Sequence, residues 1–174
     1  MPAVRSKRLQ SFAPVARRDA RVLILGSMPG VASLSAQQYY AHPRNQFWPI
    51  MQQLHGIDAS LPYERRLERL RQNHVALWDV LESCKRYGSL DAAIEHDSAV
   101  PNDLPQLLRT HPGIVRLCCN GGTAYRALQR YFGAQLQQEF SQLECLKLPS
   151  TSPAHAGMRF TDKLAAWQAA FKGA

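Results

Sequence analysis

Three short segments of the chain hold most of the side chains able to do chemistry. The first is Gly26-Ser27-Met28-Pro29-Gly30, where two glycines and a proline flank a hydroxyl. That pattern specifies a tight turn in which a ligand can approach backbone N–H groups. It lacks the GxGxxG of a dinucleotide loop, the Gly-Lys-Ser/Thr of a phosphate loop and the GxSxG of a nucleophile elbow. The second segment, residues 39–48 (YYAHPRNQFW), mixes aromatic rings with His42, Arg44 and Asn45. Such a mixture suits stacking and hydrogen bonding to a flat base; the plainer alternative makes Asn45 a helix cap and Phe47 and Trp48 core anchors. The third, residues 148–156 (LPSTSPAHA), places Ser150, Thr151 and Ser152 between Pro149 and Pro153, with His155 just beyond. Hydroxyls on a rigid turn bind phosphate, and prolines and apolar side chains wedge between bases.

The first and third segments each follow an apolar run short enough to be a buried strand. Residues 21–26 (RVLILG), 75–80 (VALWDV), 114–120 (IVRLCCN) and 143–148 (LECLKL) alternate poorly, as strands covered on both faces do. Between them the spacing predicts helices over residues 46–54, 62–72, 122–132 and 161–172. A short helix is expected near residues 90–95, and another capped by Asn102 or Asp103 and running to Arg109. Strands alternating with helices predict an α/β fold, a three-layer α/β/α sandwich on a four-stranded, mainly parallel sheet. In such sheets ligands bind beyond the C-terminal strand ends. That rule selects residues 26–30, Asp79, residues 120–122 and residues 149–155, all small or polar.

Hydrophobic residues make up 45% of the 174 and charged residues 20%, which suits one globular domain. The net charge of +8 is uneven: Arg5, Lys7, Arg8, Arg17, Arg18 and Arg21 crowd the start. Residues 1–20 read as a basic arm and residues 21–174 as one domain. A basic surface points to a polyanionic partner with salt-sensitive binding. No run of about 18 apolar residues exists to span a membrane, and the first 18 residues lack the apolar stretch of a secretory signal. The four cysteines form no CxxC pair, so no metal site is expected, and free thiols suit a reducing cytoplasm.

The stretch GSMPGVASLSAQQYYAHPRNQFWPIM resembles the first motif region of the uracil-DNA glycosylase superfamily, on its mismatch-specific side. LPSTSPAHA is similar to the superfamily's second motif, and Met28 together with this loop is most like the hypoxanthine-DNA glycosylase branch. The likeness runs from about residue 21 to residue 171. It implies a monomeric, cofactor-free enzyme of base-excision repair that hydrolyses the N-glycosidic bond of a flipped-out hypoxanthine or uracil in damaged DNA. It further implies Asn45, Ser150 and His155 as catalytic residues. The base pocket would comprise Gly26, Ser27, Met28, Pro29, Asp79 and Asn120, with Tyr40 or Phe47 stacked on the base. His42, Arg44, Thr151, Ser152, Pro153 and Met158 would touch DNA. Asp79 would accept from the base when ionised or donate when protonated. The pattern departs from the family's at two places. Met28 stands where the mismatch-specific branch has a water-positioning asparagine, and Ser150 where uracil enzymes have a histidine. No lysine is placed for Schiff-base chemistry. Rival readings are a G:U/G:T mismatch enzyme, a catalytically weak DNA-binding member of the fold, and a flavodoxin-like nucleotide-binding domain.

Overall fold

The computed structural model describes residues 6–174. Its centre is the expected parallel sheet, formed by β2 (Val22–Gly26), β3 (Val75–Asp79), β6 (Arg116–Asn120) and β7 (Glu144–Leu148). The strand order is β3-β2-β6-β7, all neighbours parallel, with Gly26 opposite Asp79 and Asn120 opposite Leu148. Side chains alternate between two cores, because successive residues of a strand point to opposite faces. Val22, Ile24, Val75 and Leu77 meet α2 (Phe47–His55), α3 (Tyr63–Gln72) and α6 (Phe160–Phe171) on one face. Leu23, Leu25, Ala76 and Trp78 meet α4 (Leu104–Thr110) and α5 (Gly122–Glu139) on the other. Both faces of β2 and β3 are covered, which is why those two runs carry only one polar residue, Asp79, whereas β7 at the sheet edge keeps Glu144 and Lys147 exposed.

A second sheet was not expected. β1 (Arg8–Gln10), β4 (Leu81–Arg86) and β5 (Ile94–Pro101) form an antiparallel sheet in the order β1-β4-β5. β4 leaves β3 after the single residue Val80, so the chain switches sheets without a loop. Leu81, Cys84 and Ile94 close a small third core on Met28.

Several expectations are corrected here. The helix near residues 90–95 is one 3-10 turn, Asp91–Ala93, because Ile94 and Glu95 pair with Arg86 and Lys85. The helix after β6 runs on to Glu139, beyond the expected end at Phe132, and α1 (Val31–Ala36) was not foreseen. The basic arm is not a detached tail from Arg8 onward. β1 pairs with β4, Val15 bridges to Leu77, and Val15 and Ala20 are buried. Arg5 lies outside the described residues. Arg17 is ion-paired to Asp19 at 2.6 Å, and His74 also contacts Asp19. This cluster precedes β2 and β3, at the opposite end of the sheet from the C-terminal strand ends.

Candidate active site

The C-terminal strand ends open into a cleft of about 480 Å³, within the ~300–1,000 Å³ that small-ligand sites occupy. Its wall includes Gly26, Ser27, Met28, Pro29, Tyr40, His42, Asn45, Asp79, Asn120, Ser150, Thr151, Ser152, Pro153 and His155. Segments far apart in the chain therefore converge as the strand-end rule requires. Phe47, Arg44 and Met158 do not line it.

The floor carries two buried polar atoms with no partner among the described residues, Tyr40 Oη and Asp79 Oδ2. Buried polar atoms are nearly always hydrogen-bonded, so such a pair marks a place for a ligand or water. Burial, reinforced by the charge of Asp91 and opposed by Arg86, lifts the Asp79 carboxyl to about 7. Burial raises the Tyr40 hydroxyl as well. Gly26 makes room for both groups: a Cβ there would lie 2.4 Å from Asp79 Oδ1 and 3.4 Å from Tyr40 Oη. Asn102 donates through Nδ2 to the Asp79 carbonyl at 2.8 Å, fixing the strand end.

Tyr40 is held in a left-handed conformation, φ 57°, which a non-glycine residue adopts only under outside constraint. The constraints lie on either side of it. Tyr39 N–H donates to Tyr63 Oη, Trp48 Nε1 donates to the Tyr39 carbonyl, and Ala41 N–H donates to Ser33 Oγ. The Tyr40 ring stacks on Phe47 at 4.0 Å between centroids. Of the two rings proposed to stack on a ligand, Phe47 is excluded: it is fully buried and supports Tyr40 from behind.

Asn45 is at once a cap and a cleft residue. Its Oδ1 accepts from Phe47 N–H at 2.9 Å at the start of α2, leaving Nδ2 with no partner among the described residues. Asn120 is saturated instead. Its Nδ2 donates to Thr151 Oγ1 and its Oδ1 accepts from Thr151 N–H, both at 2.9 Å. Thr151 is correspondingly buried, so the phosphate contact expected of its hydroxyl is not available. Ser150 Oγ and Ser152 Oγ accept from Ser152 N–H and Ala154 N–H, which leaves both hydroxyl protons free to be donated outward. The Ser/Pro loop is anchored by Trp167 Nε1 to the Pro149 carbonyl and by Lys163 Nζ to the His155 carbonyl. Ser150 packs so close to Gly121, φ 97°, that a Cβ there would lie 3.0 Å from it.

Four contributors were missed by sequence reading. Asp91 accepts from Ser27 Oγ at 2.7 Å, and its carboxyl is raised mainly by burial. Arg86 is buried without an ion pair among the described residues and donates to the carbonyls of Gly88 and Pro29. Ser89 and Arg126 line the cleft. All four depend on the antiparallel sheet or on the inward face of α5, and no local motif announces either. Among the described residues no group of three or more His, Cys, Asp or Glu side chains is placed to hold a metal, and no helix is long and apolar enough to cross a membrane.

A three-layer α/β/α frame with its cleft at the strand ends hosts many chemistries, so its class rests on sequence kinship as well. The family model "Uracil DNA glycosylase superfamily" matches residues 13–171, and the chain belongs to that superfamily. Among its relatives is a Hypoxanthine DNA glycosylase from Methanosarcina acetivorans, 34% identical over 169 residues, covering 94% of this chain and 98% of that one. A second Hypoxanthine DNA glycosylase, from Methanosarcina barkeri, is 38% identical over 113 residues, 64% of this chain and 70% of the relative. The solution NMR structure of a Methanosarcina acetivorans protein, provisionally described as a uracil DNA glycosylase, superposes with a TM-score of 0.77. It is 31% identical, with 94% of this chain and 96% of that chain covered.

Proposed function

We propose that the chain is a DNA glycosylase that hydrolyses the N-glycosidic bond of a deaminated base, with hypoxanthine as the base its cleft is built to hold. The observation that carries this reading is the pair of unpartnered floor atoms, Tyr40 Oη and Asp79 Oδ2. Hypoxanthine presents an N–H donor beside a carbonyl acceptor on its pairing edge, whereas adenine presents the reverse. With Asp79 ionised, Tyr40 Oη donating to the carbonyl and Asp79 Oδ2 accepting from the N–H satisfy the first pattern, whereas the carboxylate would face the bare ring nitrogen of adenine. The names of the two Methanosarcina relatives point to the same base.

The target nucleotide must leave the helix to reach this floor, at a cost of a few kcal/mol that is smallest at a mispair. Once it is seated, Tyr40 Oη donates to its edge, the amides of Ser27 and Met28 face the base carbonyl, and Asn45 Nδ2 holds the attacking water. Ser150, Ser152, His155 and His42 line the cleft, and contacts to the sugar–phosphate chain are assigned to them. As the bond breaks, negative charge collects on the base, and fixed donors in a dry pocket each contribute ~10²–10³ in rate. Met28 is apolar and packs on Leu81 and Ile94, so water positioning falls to Asn45.

The test is base release from oligonucleotides carrying deoxyinosine, deoxyuracil or a G:T mispair, read by alkaline strand cleavage. Release of hypoxanthine in excess of uracil is expected. Salt-sensitive binding without release from any substrate would replace this reading with that of a binding module.

A further inference from the structure

The turn at residues 26–30 uses its two kinds of backbone group unequally. Four of its carbonyls are taken. Gly26 O accepts from Val80 N–H at 2.8 Å, Ser27 O from Leu81 N–H at 3.2 Å and Gly30 O from Leu34 N–H at 3.0 Å. The Pro29 carbonyl accepts from Arg86 Nη2 at 2.6 Å. The amides of Ser27 and Met28 meet no acceptor among the described residues, although both residues are buried and line the cleft. A buried N–H without an acceptor is rare in a folded chain, so this pair is open to a ligand.

Arg86 holds that turn from behind. It is 3% exposed and does not itself line the cleft. Its Nε donates to the Gly88 carbonyl at 2.8 Å while Nη2 reaches Pro29, so one planar fork bridges two stretches of backbone. Nη1 is buried with no partner among the described residues. Two neighbouring links run the same way: Ser27 Oγ donates to Asp91 at 2.7 Å and Val31 N–H donates to Ser89 Oγ at 2.9 Å. A buried guanidinium without an ion pair is costly, and a fold keeps one where its charge has a use. Both carboxyls at the cleft feel that charge, because Arg86 opposes the burial-driven rise of Asp79 and of Asp91.

We propose that Arg86 is a positioning residue for base release: it pins the Pro29 carbonyl so that the Ser27 and Met28 amides stay available to the base, and it keeps a positive charge behind the turn on which the departing base leans as an anion. The proposal rests on the reading of the cleft as a base-excision site. In that reaction the electron pair of the N-glycosidic bond leaves with the base, the oxygen of water bonds to the sugar carbon, and the proton that water gives up is balanced by one the base takes up. Asp79 and Asp91, when ionised, oppose an anion between them, and a fixed cation offsets both. Tied to two carbonyls, the guanidinium has no need to reorganise as charge develops, the condition under which fixed groups stabilise a transition state. Arginine suits the place because it stays protonated when buried and its fork spans two acceptors.

The test is single-turnover release of hypoxanthine from a deoxyinosine duplex by Arg86→Met, Arg86→Gln and Arg86→Lys, with Tm and DNA affinity measured alongside. Arg86→Met removes tether and charge together and should lower the rate ~10²-fold, the loss that a misplacement of about 1 Å produces, with DNA affinity within a few-fold of the parent. Arg86→Gln keeps a donor for the Pro29 carbonyl without the charge and should lose about tenfold. Arg86→Lys should recover most of the parent rate. The pH profile separates this role from a structural one. Asp79 is faced by Tyr39 and Tyr40 from the aromatic segment, by Asp91 and by Arg86, so the midpoint of excision against pH should move upward in Arg86→Gln and stay in place in Arg86→Lys. Rates that fall only in step with Tm, on an unmoved midpoint, would overturn the proposal, as would an Arg86→Gln protein at the parent rate. Should Arg86→Met fail to fold, the Gln and Lys variants decide. A parent that releases no hypoxanthine overturns the reading of the cleft and the proposal with it, a result distinct from an active parent whose Arg86 variants match it.

Discussion

Asp79 and Asn120 end the two strands that flank β2, one on either side of the first turn, yet they come to opposite ends. Asn120 uses both halves of its amide on Thr151 and so ties the end of β6 to the Ser/Pro loop. Asp79 keeps Oδ2 without a partner, beside a tyrosine hydroxyl in the same condition. Two polar residues at equivalent strand ends thus divide the labour: the saturated one is a latch and the unsaturated one faces the ligand. Buried polar groups are costly unless paired, so a fold keeps an unpaired one only where something else completes it. Asn45 stands between these extremes, with one amide atom capping α2 and the other left for the cleft.

The strongest challenge to this division is Asn45→Ala. Base release should fall by ~10²-fold or more if its amide positions the water, with DNA binding within a few-fold of the parent. Losing the cap should cost about 0.5–2 kcal/mol of stability. A variant that is destabilised yet fully active would make Asn45 a cap alone. Next in size is Asp79→Asn, read against pH. Because burial lifts the Asp79 carboxyl from its ordinary value to about 7, the folded state binds a proton that the unfolded state has released. Stability is therefore highest below the unfolded pKa of about 4 and falls as pH rises through 7. The Tm of the parent should drop between pH 5 and 8 and that of the variant should drop less, the remainder belonging to Asp91, whose carboxyl is also raised. Excision by the parent that declines above pH 7 assigns Asp79 as a donor to the base; excision that rises assigns it as an acceptor.

Asn120→Ala tests the latch. Removing it strands the Thr151 hydroxyl and amide, so the protein should lose about 1–3 kcal/mol of stability. The paired-base preference should be unchanged if Asn120 does not read the base. The smallest effects concern charge. Arg126 lines the cleft without an ion pair among the described residues, and Arg126→Ala should weaken DNA binding and lower the salt slope by about one contact. Arg18→Ala, at the far end of the sheet, should change neither. A larger effect from Arg18 than from Arg126 would move the DNA to the other face.

Much of the central layer was legible because its physics is local. A strand covered on both faces must be apolar, so RVLILG and VALWDV declare themselves; IVRLCCN and LECLKL show shorter apolar runs, the latter an edge strand with Glu144 and Lys147 exposed, and the crevice beyond the four ends follows from topology. The antiparallel sheet gave no such signal. RLQ is three residues long, and IEHDSAVP is only half apolar and half exposed, with no strict alternation. Those strands exist because β4 continues straight out of β3 and offers an edge to pair with, a long-range condition no window of sequence contains. The same holds for the basic arm, whose arginines suggested a polyanion but whose placement depends on Val15 and Ala20 being buried.

By itself the sequence determined the parallel sheet, the three loops at its strand ends and the residue types gathered there, because spacing and apolar runs act over a few neighbours. Only the tertiary structure decided which of those residues remain free. Asn120 and Thr151 satisfy each other across 31 positions, Phe47 is buried behind Tyr40, and Arg86 reaches 57 positions to the first turn. Hydrogen-bond satisfaction is settled by which atoms come within 3 Å in space, and that proximity is a property of the fold rather than of any stretch of chain.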